Sequence, residues 1–151
     1  MTGIIENFLT KHCIICRVGS SQGGSSYYAL FRILTGFLFF QHGIQKIFGV
    51  FGGIDGAGKT AEIFSLTGAA GLIEFFVGIA LILGLFSRLA AVFGAIEMTA
   101  AYLMVHAPLD PSPLLNKGEA ALLYVAAFLA IIRYGAGRWS VEKAVAKREI
   151  F

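Results

Sequence analysis

Residues 67–107 read TGAAGLIEFFVGIALILGLFSRLAAVFGAIEMTAAYLMVHA, two apolar runs of about 20 residues each, the length a helix needs to cross the hydrocarbon core of a bilayer. Only Ser87-Arg88 interrupts them, which leaves room for a tight antiparallel turn and nothing more. Working outward, a third run covers 27–48 and a fourth 118–134, and Pro108, Pro111 and Pro113 break the chain before the fourth. The expected segments are therefore 27–48, 67–86, 89–107 and 118–134. Together they predict an all-α integral membrane four-helix bundle.

Composition agrees. The chain has 151 residues, 57% hydrophobic and 14% charged, with a mean hydropathy of +0.77, outside the usual soluble range. The formal charge is +3. Its positive residues Lys11, Arg17, Arg88, Arg133, Arg138, Lys143, Lys147 and Arg148 all flank apolar segments, so cytoplasmic bias accounts for them and nucleic acid binding is not indicated. The other two loops offer only Lys59 and Lys117 beside Asp55, Glu62 and Asp110. That asymmetry places both termini in the cytoplasm and the protein in the inner membrane, crossing it several times. The first run is too long for a signal-peptide core and no convincing small-residue cleavage site follows it, so it is read as a retained span. The expected organisation is a flexible arm over 1–26, a transmembrane domain over 27–141 and a basic cytoplasmic tail over 142–151.

Ionisable residues inside such runs carry the functional signal, because a charge at the bilayer centre costs roughly 2.5–3.5 kcal/mol on insertion scales. They are Arg32, His42 and Lys46 in the first run, Glu74 in the second, Glu97 and His106 in the third and Glu119 in the fourth. At about 1.5 Å per residue, His42, Lys46, Glu74, His106 and Glu119 fall in the outer half and Glu97 near the midplane. Arg32, Phe39, His42 and Lys46 follow helical spacing with Gly36 and Gly43 beside them, which predicts an inward stripe on the first helix. Gln41, Gln45, Asn116 and Tyr124 are available to complete hydrogen bonds. The expected result is an acid–base cavity opening outward. Plainer readings stand beside it: Lys46, His106 and Glu119 are near enough to the interface to snorkel, Glu74 has a structural ion pair with Lys46 open to it, and Arg32 and Arg133 read as interfacial anchors.

Two motifs point elsewhere. Gly53-Ile-Asp-Gly-Ala-Gly58-Lys59-Thr60 matches the phosphate-loop pattern letter for letter, but that loop needs a preceding strand, an α/β sheet and an acidic Mg²⁺ partner, which four spans do not supply. No nucleotide is expected, and the glycines are read as shaping an interfacial loop that lids the cavity. Cys13 and Cys16 form a C-x-x-C beside His12. A zinc site needs more ligands than these, so no metal is expected. The glycine- and serine-rich stretch after them reads as a linker.

The stretches His42-Gly43-Ile-Gln-Lys46-Ile-Phe-Gly49, Glu74 with Gly78, Leu83-Gly84-Leu-Phe-Ser-Arg88, Ala101-Tyr102 with His106-Ala-Pro108, Asn116-Lys-Gly118-Glu119 and Gly135-Ala-Gly137-Arg-Trp139-Ser140 resemble the DoxX family of small bacterial membrane proteins. The resemblance covers about 28–141. It implies a four-helix membrane protein related to the DoxD subunit of thiosulfate:quinone oxidoreductase and to the wider DoxX/SURF4 group, with some members reported in membrane redox or oxidative-stress assemblies. Neither the cysteine arm nor a phosphate loop belongs to that pattern.

The leading expectation is thus a component of a quinone-linked membrane redox system. In it, His42 and Glu74 exchange protons as catalytic residues, Lys46 and His106 hold an anionic or carbonyl oxygen, Glu119 orients one of them, and Glu97 and Asn116 complete the substrate site. No covalently bound cofactor is expected, since no haem, flavin or iron–sulfur motif occurs; electrons would pass through a diffusible quinone, a partner subunit or the cysteine pair. The expected partners are the lipid bilayer and a redox subunit or a second copy of the chain. The alternatives are a small-molecule or proton-coupled permease and a non-catalytic scaffold subunit.

Overall fold

The computed structural model describes residues 26–146. The N-terminal arm with Cys13 and Cys16, and the end of the tail, lie outside them. The regular elements of the described residues are all helices, with one isolated bridge between Gly53 and Lys59 and no strand among the described residues. In chain order they form α1 (Ser26–Phe48), a 3-10 turn (Val50–Gly52), α2 (Leu66–Leu83), α3 (Ser87–Ala101) continued by a π-helical turn (Tyr102–His106), α4 (Glu119–Tyr134) and a short α5 (Val141–Ala146). Of these, α2 and α3 with its π turn are long and apolar enough to cross a membrane. Polar residues keep α1 below that threshold, and α4 has 16 residues.

Local chemistry fixes the boundaries. Ser65 caps α2, its Oγ accepting the Gly68 N–H at 3.0 Å. Gly84, at φ 70°, ends α2 in the left-handed conformation that glycine takes without a Cβ clash. The turn between α2 and α3 is therefore Gly84-Leu85-Phe86 rather than Ser87-Arg88, and Ser87 is a fully buried first residue of α3. The third segment ends in a π turn closed by Ala107 N–H on Tyr102 O at 2.8 Å, just before Pro108 removes the next donor. The start of the expected tail is helical as α5.

The packing partners are unequal. α1 lies against α2 along its length, with Gly36 and Gly43 set against Gly78, Leu81, Gly71 and Phe75 so closely that no side chain fits between them. α3 packs on α4, where Gly94 receives the Phe128 ring. α1 and α4 meet almost only through rings: Tyr28 on Tyr134, Phe39 on Phe128 and Tyr124, His42 on Tyr124. The core consists of Phe39, Val77, Leu81, Ala90, Ala91, Met98, Ala121, Phe128 and Ile131.

The inside carries charge and the outside is greasy. Arg32, Glu74 and Glu97 have 0%, 1% and 9% of their surface exposed, while Leu34, Phe37, Phe76, Phe93, Ile96, Leu103, Leu123 and Leu129 point outward. Tyr28 OH donates to Gly135 O at 2.6 Å and Arg32 Nη2 to Trp139 O at 2.9 Å, so the start of α1 and the end of α4 share one end of the assembly with the α2–α3 turn. The Gly49–Leu66 and Pro108–Gly118 loops therefore occupy the other.

Candidate functional site

Each of the four long helices contributes one polar group to a common interior. Lys46, in the last turn of α1, donates from Nζ to Glu74 Oε1 of α2 at 2.5 Å. The pair forms because Gly71 sits under the Lys46 side chain, a built Cβ there falling 2.9 Å from Lys46 Cβ. Glu97 of α3 is within electrostatic reach of both, and Tyr124 of α4 within reach of Glu74. The second oxygens of Glu74 and of Glu97 are buried without a hydrogen-bond partner, which costs on the order of 1–3 kcal/mol each by mutational scales. With both carboxyls ionised, one lysine faces two carboxylates, and this cluster is one positive charge short. Such a cluster can take up a proton or a hydrogen-bond donor from a ligand.

His42 stands at the rim rather than inside. The buried stripe of α1 is Ala29, Arg32, Thr35, Gly36, Phe39 and Gly43. His42 is rotated off that line and exposed, which corrects its expected inward placement. Its ring meets Tyr124 edge-on at 6.0 Å, and with Leu38, Gln41, Gln45 and Phe51 it lines an open depression of about 240 Å³. This concavity lies on the flank of α1, not between the helices.

The other expected site residues are placed elsewhere. His106 Nδ1 bonds Asn116 O at 2.9 Å and its ring stacks on Tyr102. The buried Asn116 side chain is committed to its own loop, Nδ2 donating to Asp110 O at 2.8 Å and Oδ1 accepting Gly118 N–H at 2.7 Å. Glu119 is exposed in the first turn of α4, where a carboxylate suits the helix dipole. Among the described residues no hydrogen bond or ion pair joins these three to Lys46, Glu74 or Glu97. Arg32, expected as an interfacial anchor, is instead fully buried: Nη1 donates to Leu81 O at 2.6 Å and Nη2 to Trp139 O, tying three segments together.

The phosphate-loop pattern forms a different object. No strand precedes it; the 3-10 turn does. Asp55 Oδ1 accepts the N–H groups of Ala57 at 2.8 Å and Lys59 at 3.1 Å, and Gly58 N–H goes to Gly52 O. The N–H groups of Ala57, Gly58 and Lys59 are bonded within the loop, and those of Ala57 and Lys59 hold the Asp55 carboxyl below its ordinary value. Among the described residues no three His, Cys, Asp or Glu side chains stand close enough to hold a metal ion.

A DoxX family profile matches residues 28–107, the stretch that supplies His42, Lys46, Glu74 and Glu97. The chain belongs to the DoxX family. A Haemophilus influenzae chain described as an uncharacterized protein is 33% identical over 129 residues, 81% of this chain and 92% of that one. No solved structure matches. In this DoxX chain, sequence reasoning missed Leu38 and Phe51 of the depression. Leu38 looks like any lipid-facing leucine, and the one signal at Phe51 is a φ of 54°, which composition does not reveal.

Proposed function

We propose that this DoxX protein is a multi-pass inner-membrane protein, a four-helix bundle with both termini in the cytoplasm, and that its interior cluster serves a quinone-linked redox system. The carrying observation is the buried Lys46–Glu74 pair with a second buried carboxyl group, Glu97, beside it, inside a helix assembly whose outer surface is apolar. In water that distribution would be inverted; in lipid it suits the solvent. The end bearing Arg88, Arg133, Arg138 and Lys143 carries the positive excess, which supports a cytoplasmic side for that end.

The residues fit a quinone. His42, Gln41 and Gln45, which line the depression, offer donors to a quinone carbonyl. The unpartnered oxygens of Glu74 and Glu97 lie inside the helices and do not line it, and they offer acceptors for protons relayed inward. A bound quinone supplies the two-electron chemistry and the protein the proton handling. His42, touching Tyr124 and lining the depression, is placed one turn from Lys46 on α1 and can exchange a proton with a ligand there. Lys46 fixes one oxygen of Glu74, leaving the other to exchange. His106, Asn116 and Glu119 are assigned to closing the outer loop over this end.

The test is quinol-dependent turnover in membranes containing the wild type, Glu74→Gln or His42→Ala at equal folded levels. Loss of a quinone-dependent signal in both variants supports the site; no such signal in the wild type overturns the redox reading.

A further inference from the structure

We propose that the depression on the flank of α1 seats the polar ring of a lipid-soluble, tailed ligand whose tail stays outside on α1, so that the ligand arrives from the bilayer and not from water. The inference rests on the quinone reading and specifies where and in what form that ligand binds.

The face of α1 is unusual for its place. Leu38, Gln41, His42 and Gln45 recur at i, i+3, i+4 and i+7, one helical face, on the flank opposite to the one where Gly36 and Gly43 meet α2. Among the described residues, neither the Gln41 nor the Gln45 amide nor the His42 ring has a hydrogen-bond partner. At the lipid-facing side of a span, such groups are costly unless something bonds them. The ring contact of His42 with Tyr124 links this face to the seam where α1 and α4 meet only through aromatic side chains.

Size decides what fits. About 240 Å³ is below the roughly 300–1,000 Å³ of sites that enclose a drug-sized ligand, so a single ring is accommodated and a tail is not. The tail has a track. Leu38, Leu34, Phe31 and Tyr27 continue the same face and are all exposed, running about 16 Å toward the opposite end of α1 at 1.5 Å per residue. Phe51, from the 3-10 turn that follows α1, lines the depression on its loop side, so the apolar face toward Tyr27 is the track for the tail.

The experiment is photolabelling of the full chain in lipid nanodiscs by a benzoquinone bearing an isoprenoid tail with a diazirine next to the ring, followed by peptide mapping. Labelling is expected on α1 between Phe31 and Phe51. A tailed benzoquinone should compete at least about tenfold better than the same ring without a tail, and Gln41→Leu with Gln45→Leu, which removes two hydrogen-bonding groups from an outward face, should weaken competition about tenfold. Saturable labelling on another helix, or equal competition by the tailless ring, overturns this inference and leaves the quinone reading standing. Absence of any saturable labelling overturns both.

Discussion

Lys46 and Glu74 are unequal partners. Glu74 is enclosed by helices, whereas the Lys46 side chain keeps 24% of its surface exposed. Losing the lysine strands a buried carboxylate; losing the glutamate leaves a lysine that can still extend toward the outer interface. Lys46→Met should therefore lower stability more than Glu74→Leu, with the loss below the roughly 3–5 kcal/mol of a fully buried pair because of that exposure. The double variant should recover most of it, as read from unfolding in detergent. Asp55 gives a pH prediction with a definite sign. Its carboxyl is held low by the Ala57 and Lys59 N–H groups, so the loop's order is present above the ordinary carboxylate value and lost as pH falls through the lowered one. Protection of those two amides relative to their intrinsic exchange rates should fall in acid, and Asp55→Ala should show fast exchange at neutral pH. Sequence reasoning saw both carboxylates, and it saw Glu74 with Lys46 because residue type and depth sufficed. It misjudged Arg32 because the partners are backbone carbonyls of Leu81 and Trp139, which hydropathy cannot register.

At the scale of elements, the ends of the apolar runs were legible to within a few residues, since run length follows from bilayer thickness. Rotation was less so. Counting along α1 puts Lys46 in its last turn, but the helix is turned so that Gly43 and not His42 faces inward. The glycines decide that turn. Gly43 lies where a Cβ would come within 2.5 Å of Phe75 N, and at Gly36 it would fall 2.8 Å from Leu81 Cβ. Gly43→Leu should push α1 from α2 and destabilise by at least the roughly 1–3 kcal/mol typical of overpacking. It should also separate Lys46 from Glu74, which cysteine cross-linking across the two helices would detect as a lost bridge. The π turn at the end of α3 was not legible; nothing in Tyr102–His106 distinguishes it from ordinary helix before Pro108.

For the whole molecule, the proposed topology predicts that a fluorescent-protein fusion after Ala146 lights up in the cytoplasm. A cysteine introduced at Gly56, in the opposite loop, should react with an impermeant thiol reagent added from outside the inner membrane. A reactive Gly56 position combined with a dark fusion would refute the shared cytoplasmic end. Arg32 has a consequence for how such a molecule is made. Its guanidinium belongs to α1, yet one of its acceptors, the Trp139 carbonyl, is translated 107 residues later. Until then α1 carries a cation lacking one of its acceptors, which a bilayer disfavours. Under the proposed membrane topology the bundle should accordingly settle only once Trp139 has been made, and versions interrupted before Arg138 should be retained by the insertion machinery or degraded, while Arg32→Leu would relieve that dependence in pulse-chase of the truncated chain.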